Sequence, residues 1–280
     1  MKNALFLLAA ALLMVGCTTD YVTVDDSATV AEKRVTFDVN NGSWSVTRSL
    51  EADGVTMTDL WLFDYVDGAL VRTAHKVSTD ADFSSPSMSL QYGEHTIYFV
   101  ASRGKTPNVD GTSIAWAQPS DTFWKTVSVT VGSGSSSVVP VTLDRVATKL
   151  RVAVTDEVPD GVTQICVTPD VWWNGLDYTT GAAVDSRTTE RVISVPASYI
   201  GTTGQLAVNI FGISDADERM ADITITAKDA DGNTMGTVSL TDVPFERNRA
   251  TNVSGSLFAA GTTFSVSLND EWTDSYNLEW

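Results

Sequence analysis

The residues most often used for nucleophilic and acid–base catalysis are scarce in this chain. It has two histidines, His75 and His95, and neither lies in a recognisable nucleophile motif. The sequence contains no Gly-x-Ser-x-Gly elbow, no P-loop and no His-Glu-x-x-His motif. Carboxylate pairs are numerous only because the chain is acidic, so no pair stands out as a general acid and base. We therefore expect a protein that is not an enzyme.

One short stretch has the carboxylate spacing that opens a calcium-binding loop. It runs from Asp229 through Asp231 to Asn233. Its twelfth position, where a bidentate Glu closes such a loop, is Leu240. Because the stretch stands between two strand-like runs, the pattern favours a tight hairpin turn. We expect no metal ion and no cofactor.

The charge of the chain excludes one class of partner. Eighteen Lys and Arg stand against 35 Asp and Glu, which gives a formal net charge of −17. Such a field repels phosphate backbones, so we expect no nucleic-acid partner. The hydrophobic share of 43% is enough for a packed core.

The N-terminus resembles a bacterial lipoprotein signal peptide at residues 1–17. Lys2 is followed by a twelve-residue apolar run, Ala4 to Val15, which is too short to span a bilayer. Gly16 and Cys17 end this run and resemble a lipobox, in which the Cys thiol is acylated and becomes the new N-terminus. We expect a lipid anchor at Cys17 and a tether or pro-segment over 18–34. The alternative is a plain signal peptide with an incidental Cys.

The body of the chain has the sequence pattern of strands. Apolar residues alternate with polar ones in many places, among them Val35/Phe37/Val39, Val127/Val129/Val131 and Leu150/Val152/Val154. The runs 60–63 and 97–100 are continuously apolar, which indicates central strands covered on both faces. Asp-Gly turns separate the strands, and Cys166 is expected to be a small core residue.

This pattern predicts an all-β fold of β-sandwiches. The chain has more strand residues than one sandwich domain usually holds. We therefore place one domain at 35–143 and a second at 144–280. The run 132–137 is expected to be a hairpin loop inside the first domain.

Several segments together resemble the fimbrillins and fimbrial anchor subunits of Bacteroides-type bacteria. They are Leu60-Trp61-Leu62-Phe63-Asp64-Tyr65, Leu90-Gln91-Tyr92-Gly93-Glu94-His95-Thr96, Leu143-Asp144-Arg145-Val146-Ala147-Thr148-Lys149-Leu150 and Val243-Pro244-Phe245-Glu246-Arg247-Asn248-Arg249-Ala250-Thr251. The resemblance covers the chain from about Val35 onward. It implies two transthyretin-like Greek-key β-sandwich domains in tandem.

The resemblance also implies a mode of assembly. In stalk-forming members a trypsin-like protease cuts after an Arg and frees a groove, which a segment of a neighbouring subunit fills by β-augmentation. The matching Arg is Arg48, with Arg34 as the second choice. The candidate donor segment comprises Phe264, Val266, Leu268, Trp272, Tyr276, Leu278 and Trp280. Its first part could instead be the last strand of the second domain.

On this reading the chain is a stalk, tip or anchor subunit of a cell-surface fimbrium that supports adhesion. Its expected partners are other fimbrial subunits, the outer membrane through the lipid anchor, and a host or bacterial surface ligand. Asp26-Ser27-Ala28 resembles an O-glycosylation site of these bacteria. The alternative function is a surface glycan-binding lipoprotein that uses exposed indoles such as Trp116, Trp124 or Trp173.

Overall fold

The structure is a computed structural model, and it describes residues 31–40, 51–52, 55–215, 218–259, 264–269 and 278–279. Within these ranges the chain is all-β, and the only helical turn is a 3₁₀ turn at Ala197–Tyr199. Among the described residues there is no helix with the length and apolar character that a membrane span requires. The residues Glu32–Trp280 hold together as one compact unit.

The described part of the first half of the chain consists of strands joined by turns and loops. They are β1 (Glu32–Asn40), β2 (Glu51–Ala52), β3 (Val55–Thr56), β4 (Asp59–Val66), β5 (Ala69–Val77), β6 (Ser87–Gln91), β7 (Gly93–Ser102), β8 (Lys105–Asp110), β9 (Ser113–Gln118), β10 (Thr122–Val131) and β11 (Val138–Thr142).

The second half continues in the same way. Its strands are β12 (Asp144–Arg145), β13 (Ala147–Val154), β14 (Gln164–Pro169), β15 (Trp173–Asp177), β16 (Ala182–Ser186), β17 (Arg191–Ser194), β18 (Ala207–Ile213), β19 (Arg219–Lys228), β20 (Thr234–Phe245), β21 (Ala250–Gly255), β22 (Phe264–Asn269) and β23 (Leu278–Glu279).

Four of the sheets form two sandwiches, each with its own core. Sheet 1 (order β11-β1-β6) faces sheet 2 (β12-β10-β7-β4-β5), and sheet 3 (β22-β21-β13-β18-β23) faces sheet 4 (β17-β14-β19-β20). In both sandwiches the first strand pairs in parallel with a strand that comes late in the same half: β1 with β11, and β13 with β21. Alternating apolar residues supply each core because successive strand residues point to opposite faces.

Sheet 5 (β16-β15-β9-β8) joins the two halves through the pairing of β9 with β15. It packs on the outer face of sheet 2, where Trp61 and Phe63 contact Trp116 and Tyr178 in a third buried cluster. This explains the continuous apolar runs of β4 and β7. Both strands are covered on two faces, as predicted, and Leu60 to Phe63 are all buried.

Two local expectations are confirmed and one is wrong. Asp229 to Asn233 forms the turn between β19 and β20, and the Asp229 carboxylate accepts hydrogen bonds from the backbone amides of Asp231 and Asn233. Cys166 is a buried residue of β14. The run 132–137 is not a hairpin loop, because β11 pairs with β1 in sheet 1 instead of with β10 in sheet 2.

Candidate functional site

The first strand, β1, is the middle strand of the three-stranded sheet 1. Its first part pairs antiparallel with β6, from Glu32 opposite Gln91 to Thr36 opposite Ser87. Its second part pairs in parallel with β11, from Thr36 opposite Val138 onward. Because β6 and β11 lie on opposite sides of β1, only β1 connects them within this sheet.

Backbone hydrogen bonds extend beyond these ladders to the segments that flank them. The amide of Phe37 donates to the carbonyl of Pro86 (2.9 Å), and the amide of Val39 donates to the carbonyl of Ser84 (2.9 Å). At the end of the strand, the carbonyl of Asn40 accepts from the amide of Leu143 (2.7 Å). If β1 left, all of these donors and acceptors on its neighbours would need a new strand to satisfy them.

The inward face of β1 fills the core of the first sandwich. Val35 and Phe37 are fully buried and Val39 is 4% exposed. The ring of Phe37 meets the edge of the Phe99 ring, with 5.2 Å between the centroids. Full burial of each such side chain contributes roughly 1.5–3 kcal/mol. Without β1 this space would be an apolar groove with an unpaired backbone edge on each side, and we call it the β1 groove.

Polar contacts fix β1 at its outer face and at its beginning. The hydroxyl of Thr36 is 2.9 Å from the hydroxyl of Ser87. The ammonium of Lys33 donates to the backbone carbonyl of Ser135 and lies 3.4 Å from the carbonyl of Gly132. The sequence alone did not identify Lys33 or Ser135, since Lys33 was assigned to the tether and its partner lies 102 residues away.

The structure places one of the two predicted cleavage residues. Arg34 lies inside β1, with an exposed side chain and with its backbone opposite Ser89 of β6. Strand β1 thus begins at Glu32 instead of Val35, because the backbone pairing with β6 starts before the apolar alternation does. Arg48 and the lipidation residue Cys17 lie outside the described residues, as does Asp26-Ser27-Ala28.

The first part of the predicted donor segment forms β22, an edge strand of sheet 3 that pairs antiparallel with β21. Its side chains are only partly covered: Phe264 packs against the core, Val266 is 40% exposed and Leu268 is half-buried. At the far edge of the same sheet, Leu278 of β23 pairs in parallel with Val208. The remaining predicted donor residues, Trp272, Tyr276 and Trp280, lie outside the described residues.

A carboxylate holds the chain just before β22. Asp156 accepts hydrogen bonds from three consecutive backbone amides, those of Leu257 (2.9 Å), Phe258 (2.7 Å) and Ala259 (2.9 Å). Partial burial raises the pKa of Asp156, but the three amides stabilise the carboxylate and the net effect is a lowered pKa. Asp156 therefore fixes the position at which the chain leaves β21.

Of the three indoles expected to bind glycans, one is fully buried and two are half-buried. Trp116 is fully buried between sheets 2 and 5, so the expectation that it is exposed is wrong. Trp124 is half-buried, and its indole N–H donates to the carbonyl of Tyr178 (2.7 Å). Trp173 is half-buried as well, with the guanidinium of Arg219 5.4 Å from its ring centroid.

The two histidines lie in separate, structural environments. The ring of His75 stacks on Trp61 at 4.6 Å and lies 2.8 Å from the Asp59 carboxylate. His95 is buried and its Nδ1 lies 2.7 Å from the carboxylate of Asp64. In the part of the chain that the structure describes, no group of three or more His, Cys, Asp or Glu side chains is placed to hold a metal ion.

Comparison with solved structures gives matches that span most of both chains. One is described as "putative polysaccharide binding proteins (DUF1812)" from Bacteroides thetaiotaomicron, with a TM-score of 0.53, 9% identity, and coverage of 87% of this chain and 99% of the other. Another is a "putative adhesin" from Bacteroides ovatus, with a TM-score of 0.51, 11% identity, and coverage of 91% and 98%. The fimbrial anchor protein Mfa2 from Porphyromonas gingivalis matches with a TM-score of 0.49, 10% identity, and coverage of 86% and 98%.

At these identities the likeness is one of fold. The two matches with TM-scores above 0.5 are both Bacteroides proteins, which agrees at the level of fold with the Bacteroides-type family that the sequence segments resemble. No curated protein matches the sequence. Residues 108–279 match the family model of DUF6562, a family of unknown function. Because this match spans more than half of the chain, the protein belongs to the DUF6562 family.

Proposed function

We propose that the chain is a structural subunit of a cell-surface fimbrium, a stalk, tip or anchor, that works by assembly and not by catalysis. The observation that carries the proposal is the position of β1. It is the middle strand of sheet 1 and supplies three buried side chains to the core, yet it stands next to the N-terminal end of the compact unit. A single cut after β1 would separate it covalently from the rest of the sandwich and leave the β1 groove open to another strand.

The sequence of β22 supports the second half of the exchange. Residues 35–40 read Val-Thr-Phe-Asp-Val-Asn, and residues 264–269 read Phe-Ser-Val-Ser-Leu-Asn. In both segments three apolar residues alternate with short polar ones, and Asn ends the run. A donor of this kind that entered in the direction of β1 would place its apolar side chains in the groove and Ser265 near Ser87.

The burial of the two strands supports the direction of exchange. All three apolar side chains of β1 are buried, whereas Val266 of β22 is 40% exposed at a sheet edge. Strand β22 buries little apolar surface in its own sheet and would bury more in the groove of a neighbouring subunit. Its transfer would therefore add hydrophobic stabilisation. Each subunit would then both accept and donate, so the contact is heterologous and builds a filament.

Within this proposal, Arg48 is the processing residue and Cys17 carries the lipid. A protease binds its substrate as an extended, unpaired segment, and Arg34 lies within the ladder that joins β1 to β6. A cut at Arg34 would also leave Val35 to Val39 in the groove. Acylated Cys17 would hold the chain at the outer membrane, facing the cell surface. The two sandwiches correspond, in this proposal, to transthyretin-like domains.

The first test is the N-terminal mass of the protein isolated from cells. A retained, acylated Cys17 identifies an anchor, and a chain that begins at Ser49 identifies a stalk or tip subunit. A chain that begins at Val35 moves the cut to Arg34. An N-terminus within 18–34 without an acyl group contradicts the lipid anchor.

The second test is strand exchange in vitro. A recognition site for a sequence-specific protease is placed between Asn40 and Glu51, the protein is cut, and a fluorescent peptide of residues 31–40 is added. We expect the labelled peptide to replace β1 in the cut protein and to be excluded from the uncut control. If the cut protein never incorporates the peptide, even after the released β1 is diluted away, the proposal fails.

A further inference from the structure

Lys33 occupies the same row of β1 as the buried apolar residues. Side chains two residues apart lie on one face of a strand, so Lys33 continues the row of Val35, Phe37 and Val39 toward the beginning of β1. Its ammonium lies among the carbonyl oxygens of Gly132 and Ser135 and the hydroxyl of Ser135, at 3.4 Å from both the Gly132 carbonyl and the hydroxyl. We call these three oxygen atoms the carbonyl cup.

The carbonyl cup is held together by its own loop and does not depend on Lys33. The amide of Ser135 donates to the carbonyl of Gly132 (3.2 Å), and the amide of Gly132 donates to the hydroxyl of Ser135 (3.1 Å). The Ser135 hydroxyl in turn lies 2.9 Å from the Gly132 carbonyl. The loop lies between β10 and β11, so it stays with the sandwich when β1 leaves. When β1 leaves, the three oxygen atoms at the end of the groove lose the ammonium group that they contact.

The C-terminal part of this chain, after Arg249, has no basic side chain that could occupy the carbonyl cup. After Arg249 the sequence contains no Lys, Arg or His, and its charged residues are Asp270, Glu271, Asp274 and Glu279. In the register that places Phe264, Val266 and Leu268 in the groove, Thr262 takes the place of Lys33. No register of residues 250–280 brings a basic residue to the cup. The candidate donor segment of a second copy therefore satisfies the apolar row of the groove but not its end.

We propose that the β1 groove selects a donor strand with Lys or Arg two residues before its first buried apolar side chain. This rests on the strand exchange proposed above. Its consequence is that the strand which enters the groove comes from a different fimbrial subunit and is not the candidate donor segment of another copy of this chain. The acidic residues at 270–279 of this chain would in turn be attracted electrostatically to a groove with basic residues at its entrance.

The contact between a donor's ammonium group and the carbonyl cup is a charge-assisted hydrogen bond at a half-buried position. Its strength determines how much the contact adds to the affinity of the donor strand. Loss of such a contact typically weakens binding by about tenfold. It also lowers the dependence of binding on salt, because the cup is reached by solvent.

The experiment uses the full mature chain cut between Asn40 and Glu51, with competition between peptides for the opened groove. The reference peptide is residues 31–40. We expect the Lys33→Arg peptide to bind as well as the reference and the Lys33→Met peptide to bind about tenfold more weakly. The peptide of residues 261–270 should bind weakly, and its Thr262→Lys variant should gain about tenfold.

Because the protein carries a net charge of −17, any added positive charge on a peptide attracts it. The matched control therefore carries Lys33→Met together with Asp38→Asn, which restores the net charge of the reference peptide by a change at an exposed position away from the cup. This control should not recover the affinity of the reference peptide.

The outcomes separate this inference from the function on which it rests. If the reference peptide binds and the Lys33→Met peptide binds equally well, or the control recovers full affinity, the selection by the cup is overturned while strand exchange stands. If the tail peptide binds as tightly as the reference, the groove accepts a second copy and the inference fails in the same way. If no peptide binds, strand exchange itself is wrong.

Discussion

The carboxylate of Asp156 accepts a 2.7 Å hydrogen bond from the backbone amide of Phe258, which lies 102 residues further along the chain. Asp156 lies two residues after the end of β13, and Phe258 lies between β21 and β22. The contact therefore connects the central strand of sheet 3 to the segment that leads into the candidate donor. Any detachment of β22 would have to start beyond this point, so Asp156 limits how much of the chain can leave the sandwich.

Replacement of Asp156 should loosen this attachment. Asp156→Ala removes the acceptor for three backbone amides, and we expect the free energy of unfolding to fall by about 1–3 kcal/mol. Hydrogen exchange should rise at the amides of Leu257, Phe258 and Ala259. The exposed Asp160, changed to Asn, is the control and should leave both measurements unchanged within about 0.5 kcal/mol. Equal effects of the two substitutions would contradict the role of Asp156.

The same contact should depend on acid. Since the three amides lower the pKa of Asp156, its contribution to stability is complete above the ordinary aspartate pKa of about 3.9 and is lost as the pH falls through the lower value of the folded state. The difference in unfolding free energy between the wild type and Asp156→Asn should thus be constant near neutral pH and shrink below about pH 3.9. Urea unfolding over this range measures it, and a difference that grows toward low pH would contradict the prediction.

The two strands of the proposed exchange should differ in what they contribute to stability. Phe37→Ala in β1 empties a fully buried site next to Phe99 and should cost about 3–5 kcal/mol. Phe264→Ala in β22 is the matched control, and it should cost only about 1 kcal/mol because the side chain is half-buried at a sheet edge. Urea unfolding of the uncut protein compares them. Equal losses would mean that β22 is as firmly integrated as β1, which argues against its release as a donor.

The close approach of Gly104 to Trp116 offers a fourth prediction. A Cβ atom built at Gly104 would lie 2.6 Å from Cδ1 of the buried indole. Because Trp116 is enclosed between two sheets, it cannot retreat without a shift of the surrounding backbone, so Gly104→Ala should destabilise by about 1–3 kcal/mol. The control is Gly134→Ala, where a new Cβ meets nothing within 4 Å. Thermal unfolding of the two variants distinguishes them, and equal melting temperatures would contradict the proposed crowding.

Local sequence patterns predicted the fold well wherever the determining contacts are local. The turn at Asp229 to Asn233 and the doubly covered strand at Leu60 to Phe63 follow from turn chemistry and from apolar periodicity. The sequence predicts a hairpin loop over 132–137, but the strand that follows this loop pairs with β1, about 100 residues earlier. Periodicity indicates that a strand exists but does not say which strand it pairs with.

The candidate site depends more strongly on such distant contacts. The row Val35, Phe37 and Val39 is visible in the sequence, but the central position of β1 in its sheet is not. Trp116 was expected at the surface, yet sheet 5 buries it by pairing strands from the two halves of the chain. Lys33 and Asp156 carried no sequence signal at all, because each acts on backbone groups about 100 residues away.

The buried pair of Asp64 and His95 leads to the last prediction. Both side chains are 2% exposed and lie 2.7 Å apart, and the second ring nitrogen of His95 is 2.9 Å from the carbonyl of Gln91. His95→Leu leaves a buried carboxylate without its partner and should cost roughly 3–5 kcal/mol.

The double variant Asp64→Leu/His95→Leu should recover much of this loss, because an apolar pair needs no hydrogen bonds. The control is the half-exposed pair of His75 and Asp59, also joined at 2.8 Å, where His75→Leu should cost less than about 1 kcal/mol. A double-mutant cycle by urea unfolding gives the coupling energy of each pair. Strictly additive losses for Asp64 and His95 would mean that the two residues stabilise the sandwich independently, and that burial does not make their contact stronger than the one at the surface.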